Sequence, residues 1–181
     1  MKARLTVPEV HEAVQLAFLA GLTQRLPARH YILKGGANLR LFLGSPRSSA
    51  EMDFDALDIE ACRLADKVND ALRAPVVGLI LRSHGLAVTR AGSQEQTTTT
   101  QRWVVEVHAP GHRLTISTAG EFSHRASFAG LHTSALPSMS RADPIDPVIA
   151  ARFGAPPTFY ETPAAWSGIQ DRVATYLLGL S

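Results

Sequence analysis

The chain has 181 residues, 45% of them apolar and 19% charged, with 18 Lys and Arg against 16 Asp and Glu for a formal charge of +2. That composition excludes a disordered chain and is long enough to bury a real core, while so slight a charge permits a nucleic-acid partner without arguing for one. A lone cysteine (Cys62), no apolar run near the ~20 residues of a membrane span, and an N-terminus (MKARLTVPEVHEAV) without a cleavable apolar core lead us to expect an unexported, cytoplasmic protein with no membrane partner.

Thr6 can cap a first helix, in which Pro8 suits an early position and Val10, Val14, Phe18 and Leu22 recur at fourfold spacing; Pro27 marks its end. His30-Tyr31-Ile32-Leu33 reads as a short strand running into Lys34-Gly35-Gly36. Residues 37–43 read as a short helix with Leu39, Phe42 and Leu43 inward, closed by Gly44. The polar stretch 45–51, SPRSSAE, is a loop. In the strand expected over 52–57, Met52, Phe54 and Ala56 face one side, and Asp53 and Asp55 the other. A helix over about 59–73 carries Ala61, Leu64, Ala65, Val68 and Leu72 on one stripe. Cys62 falls on or near that apolar side, where a buried thiol is expected.

From 76 to about 123 the pattern has period two. Trp103, Val105 and Val107 alternate with Val104, Glu106 and His108, and Pro110-Gly111 turn the chain into Leu114-Thr115-Ile116. These read as antiparallel strands extending the sheet, with the polar tract 94–101 (QEQTTTTQ) as a hairpin tip. Dense proline over 137–163 argues for an extended, irregular connection, and a last helix is expected over about 163–178. The order of elements predicts an α+β (α/β-like) domain: a mixed sheet flanked by helices, with a core over 1–136 and a Pro-rich connection and C-terminal helix over 137–181.

The stretch that carries chemistry is Leu33-Lys34-Gly35-Gly36-Ala37-Asn38, followed by Met52-Asp53-Phe54-Asp55. Glycines at a strand end let the backbone approach a ligand, and the exposed N–H groups beyond them favour an anion such as a triphosphate. Alternate residues on a strand share a face, so Asp53 and Asp55 can converge on hard divalent cations, which would remove their mutual repulsion. Met52, Phe54 and Leu57 mark the strand as core, so the acids are more than a solvated charge run. His108, His112, His124 and His132 are scattered without paired ligand spacing, which argues against zinc.

These residues resemble a known signature. Lys34-Gly35-Gly36-Ala37-Asn38-Leu39-Arg40-Leu41, then Pro46-Arg47-Ser48-Ser49-Ala50-Glu51-Met52-Asp53-Phe54-Asp55, is similar to that of the AbiEii/AbiGii-type abortive-infection toxins, within the polymerase-β-like nucleotidyltransferase superfamily. The resemblance implies a nucleotidyltransferase fold and a magnesium- or manganese-dependent transfer of a nucleotide from an NTP to an acceptor. For toxins of this type the acceptor is RNA, the 3′ end of transfer RNA in several, and a cognate antitoxin protein is a further partner. It also implies that Asp53 and Asp55 hold the metal and that Gly35 and Gly36 cradle the triphosphate. Lys34 and Arg47 would flank the pocket, and Ser49 or Ser48 would match the serine before the acids.

A third carboxylate has two candidates. Glu106 lies in Val105-Glu106-Val107, and Glu121 in Gly120-Glu121-Phe122-Ser123-His124-Arg125, which resembles the family's Glu-Phe-Ser-x-Arg strand end and is preferred. The late helix, from Ala164 to Arg172, carries no lysine where the family has one, and the chain ends at Ser181 short of the family's second helical motif, as a short member would. The alternative reading is a catalytically impaired module of the same fold that binds nucleotide, RNA or a protein partner; a structural or antitoxin-like interaction protein is a third.

Overall fold

The computed structural model describes residues 5–41 and 48–124, and the backbone of 131–133 and 158–160. Its elements are α1 (Val7–Arg25), β1 (Tyr31–Lys34), α2 (Gly35–Leu41), β2 (Glu51–Ala56), α3 (Ala61–Leu72), α4 (Pro75–Ser83), β3 (Ala87–Gln96), β4 (Thr100–His108), β5 (Ile116–Ser123), β6 (Leu131–Thr133) and β7 (Thr158–Tyr160), with a single 3₁₀ turn at Ala28–His30 before β1. The seven strands form one sheet in the order β3-β4-β5-β2-β1-β7-β6. β2 runs antiparallel to β1 and parallel to β5, so the sheet is mixed and the fold is α+β, as expected.

Thr6 starts α1 with a capping box: its backbone N–H donates to Glu9 Oε2 at 2.7 Å, and its hydroxyl accepts from the Glu9 N–H. The helix is buried on more sides than a fourfold stripe implies, because every residue from Val10 to Thr23 except His11 and Glu12 is buried. α1 packs against α3, α4 and the sheet, and α3 and α4 also reach the sheet directly. At Gly21 an added Cβ would sit 2.4 Å from the Ala71 carbonyl oxygen and 2.7 Å from Val77 Cγ2, so the absent side chain is what lets the three helices meet.

Under α1, Phe54 of β2 stacks on Phe122 of β5, with ring centroids 4.5 Å apart and planes 11° from parallel. Trp103, Tyr31 and Phe18 close around that pair. The Trp103 indole N–H donates to Asn69 Oδ1 at 3.0 Å, so the buried ring keeps its polar handle satisfied. Each such side chain contributes about 1.5–3 kcal/mol on burial.

Several expectations are corrected. Residues 75–83 form a helix, not a strand: Pro75 presets the first turn, and Val76, Val77, Ile80 and Leu81 are buried at helical spacing despite their β-branched look. α2 begins at Gly35 and turns Ala37, Asn38 and Leu41 inward, leaving Leu39 half-buried; Phe42, Leu43 and Gly44 lie outside the described residues. Cys62 is exposed, since the buried stripe of α3 is Leu64, Val68 and Ala71 and Cys62 points away from it. The polar tract 94–101 is mostly strand, and the tip is only residues 97–99, closed by the Thr97 N–H donating to the Thr100 carbonyl at 2.8 Å. Within the Pro-rich 137–163, Thr158–Tyr160 is a strand parallel to β1. The expected helix over 163–178 lies outside the described residues.

Candidate active site

The pleat of β2 fixes the chemistry of its two faces. Met52 and Phe54 enter the helix-covered core, so Glu51, Asp53 and Asp55 share the opposite face. Register then aligns a row of charged residues across four strands: Lys34 of β1 pairs with Asp53, Asp53 with Glu121 of β5, and Glu121 with Arg102 of β4. Adjacent strands stand about 4.8 Å apart, so the row reads cation, acid, acid, cation at close spacing.

The side chains refine this row. Lys34 Nζ donates to Asp55 Oδ1 at 2.6 Å, and Asp55 is buried. Arg102 reaches across β5: Nη1 lies 3.2 Å from Glu121 Oε2 and Nη2 2.5 Å from Glu51 Oε1, while Nε donates to Gln94 Oε1 at 3.1 Å. Gln94 is the extra residue of a bulge in β3, which aims its amide over the guanidinium. Asp53 is half-buried, and neither Lys34 nor Arg102 is ion-paired with it. Burial first, and then the charges of Glu121 and Glu51, hold its carboxyl above the usual range, partly offset by Lys34 and Arg102.

The glycine turn is built against this carboxylate. Gly35 has φ +66, and a Cβ there would lie 2.5 Å from Asp53 Oδ2, so both backbone and space require glycine. A Cβ on Gly36 would lie 3.0 Å from Ser49 Cβ. The Ser49 hydroxyl donates to the Glu51 carbonyl at 2.8 Å, and its own carbonyl accepts from Gln15 Nε2 of α1 at 2.7 Å. Ser49 therefore anchors the loop that leads into the acids. Arg47 lies outside the described residues.

Of the two later glutamates, Glu121 stands beside Asp53, whereas Glu106 sits further along β4 and faces Arg90 at 3.5 Å. Sequence reasoning missed Glu51, Arg102 and Gln94. Arg102 alternates with Trp103, Val105 and Val107 and so takes the opposite face of β4, but only the register shows that it meets Glu121. Among the described histidines, His11 meets Thr118 Oγ1, His30 the Leu57 carbonyl, His112 the Leu5 carbonyl and His124 Gln101 Oε1.

The donor set suits a hard divalent cation, being oxygen only, with one half-buried carboxylate under like-charge pressure. Among the described residues no three acids, histidines or cysteines stand grouped for an ion, and Lys34 and Arg102 are paired with the carboxylates that neighbour Asp53. The described residues include no helix long and apolar enough to cross a membrane.

No family model matches the chain, and neither does any curated protein. Two solved structures from Helicobacter pylori are similar to it. One, provisionally described as a nucleotidyltransferase, is 22% identical, covering 64% of this chain and 44% of the other, with a TM-score of 0.44. The second, JHP933, is 21% identical, covering 68% and 46%, with a TM-score of 0.48. The chain thus spans less than half the length of either, and likenesses this partial leave its chemistry to be read from its own residues.

Proposed function

We propose that the chain is a nucleotidyltransferase that moves a nucleotide from an NTP to an RNA acceptor, with its reaction centre at Asp53, Asp55 and Glu121. The observation that carries this reading is the convergence of three features on one carboxylate. Gly35 turns tightly against Asp53, Glu121 lies opposite it in register, and no described cation is bonded to it.

A divalent cation bound there would activate the acceptor hydroxyl and stabilise the pyrophosphate leaving group. The chain's own residues do the rest. Asp53, Asp55 and Glu121 would supply the oxygen ligands, and the N–H groups at Gly35 and Gly36 would face the phosphates. Lys34, once released from Asp55, is a cation within reach of the same phosphates. The bond from the acceptor oxygen to the α-phosphorus forms as that to the pyrophosphate oxygen breaks, and the acceptor's proton passes to solvent water. Action on transfer RNA 3′ ends, as the toxin of an antitoxin-controlled pair in the cytoplasm, is the fuller form of the reading. It rests on the resemblance of residues 34–41 and 46–55 to that family.

The test incubates the protein with magnesium, each α-labelled NTP in turn, and deacylated transfer RNA, beside Asp53→Asn and Asp55→Asn. Label on RNA with wild type alone establishes transfer and names the nucleotide. The second reading, a module that binds nucleotide, RNA or protein without catalysis, is favoured by the closed Lys34–Asp55 pair. Triphosphate binding without label on RNA or protein would select it.

A further inference from the structure

The carboxylate face carries more negative charge than its two basic residues balance. Glu51, Asp53, Asp55 and Glu121 face Lys34 and Arg102, so the group as described is two charges short, the charge of one divalent cation. The two basic residues are not equivalent. Lys34 holds one buried carboxylate, that of Asp55, whereas Arg102 comes from β4 and crosses β5 to hold two carboxylates, Glu121 across the strand pair from Asp53 and Glu51 two residues before it on β2.

We propose that Arg102 is a displaceable counter-ion, which occupies the acidic row in place of a divalent cation and withdraws from Glu121 when the cation binds at Asp53. This rests on the reading of Asp53 as a cation ligand. Three observations support it. The clamp takes carboxylate oxygens of Glu121 and Glu51, the neighbours of Asp53, yet leaves Asp53 itself without an ion pair to either basic residue. The guanidinium cannot lose its proton, so only another cation or a conformational change relieves it. It also has somewhere to go. Beside it lies a cleft of about 180 Å³, lined by Glu51, Arg90, Gln94, Glu106 and Ser117 and open to solvent. There the freed fork, with Gln94 still at its Nε, is placed to meet an anionic group of a substrate.

The test titrates Mn²⁺ alone into the full chain, reading free Mn²⁺ by electron paramagnetic resonance, for wild type, Arg102→Gln, Arg102→Lys, Arg90→Gln and Asp53→Asn. Arg102→Gln is expected to bind Mn²⁺ about five- to tenfold more tightly, the size of charge-assisted hydrogen bonds removed from a competitor. Arg102→Lys, whose ammonium spans only one carboxylate at a time, is expected to fall between it and wild type, and it answers the question if the glutamine variant does not fold. Arg90→Gln removes the same charge from the same face without touching the row and should change affinity less than about twofold. If wild type binds Mn²⁺ and both Arg102 variants bind it equally or more weakly, the proposal is overturned. It is likewise overturned if Arg90→Gln tightens binding as much as Arg102→Gln, since the effect is then bulk charge. If no variant retaining Asp53 binds Mn²⁺, the reading of Asp53 falls, and the counter-ion role falls with it.

Discussion

Gly35 and Asp53 touch so closely that a methyl group on the glycine would come within 2.5 Å of the aspartate oxygen Oδ2. The backbone at Gly35 is also left-handed, with φ +66, which costs an alanine roughly 1–2 kcal/mol. Gly35→Ala is therefore expected to lower the stability in urea by at least that amount and to push the Asp53 carboxylate out of the row, with Mn²⁺ affinity falling by about tenfold or more. Gly36→Ala meets only Ser49 at 3.0 Å, with no backbone penalty, so it should cost less on both measurements.

Asp53 bears a charge that the fold does not welcome. Burial and the neighbouring Glu121 and Glu51 raise its pKa, so the folded chain holds this proton to a higher pH than the unfolded chain does. Stability from this group therefore declines as the pH rises from the ordinary carboxylate value through the raised one, and the cost persists at neutral pH. Asp53→Asn is expected to raise the melting temperature by a few degrees in the absence of divalent cations while abolishing Mn²⁺ binding. A lower melting temperature for the variant in chelator would contradict this account.

Much of this arrangement is legible in the sequence. The alternation of Met52-Asp53-Phe54-Asp55 sets the two acids on the face away from the core, and Lys34-Gly35-Gly36 sits where a strand ends. Partnership across strands is not legible, because register depends on long-range pairing that no local pattern encodes. Glu121 was within reach through its motif, whereas Arg102 and Glu51 look like ordinary surface charges until β4, β5 and β2 lie side by side. The helix at Pro75–Ser83 was missed for a different reason. Its apolar, partly β-branched run has no polar face long enough to show a helical period, and packing on α1 decides its conformation.

The Phe54–Phe122 stack joins the two strands that carry Asp53 and Glu121. Phe122→Ala should cost about 3–5 kcal/mol, the range for emptying a large buried aromatic site. Equilibrium urea unfolding measures this directly. Because Phe122 adjoins Glu121, the folded fraction of the variant should also bind Mn²⁺ less well than wild type.

His11 gives the protein an acid-sensitive helix–sheet contact. Its Nδ1 lies 2.9 Å from Thr118 Oγ1, and burial holds its pKa below the ordinary 6.5. The unfolded chain therefore takes up this proton at a higher pH than the folded chain does. Stability is full above about pH 7 and declines as the pH falls through 6.5 toward the lowered value. His124 shifts the same way, through burial, and adds to the slope. His11→Asn, which keeps a hydrogen-bonding group but cannot titrate there, is expected to flatten the melting temperature between pH 7 and 5; an unchanged slope would assign the acid sensitivity elsewhere.

The parallel pairing of β2 with β5 has a consequence in time. Asp53 and Glu121 are adjacent in space, yet 68 positions separate them in the sequence. Chains are made from the N-terminus, and pairings between distant segments form late. A growing chain on the ribosome thus displays its glycine turn and both β2 aspartates well before the strand that brings Glu121 exists. Its acidic row cannot assemble until the 68 positions from Asp53 to Glu121 have been added, and until then the nascent chain carries the β2 acids without their partner.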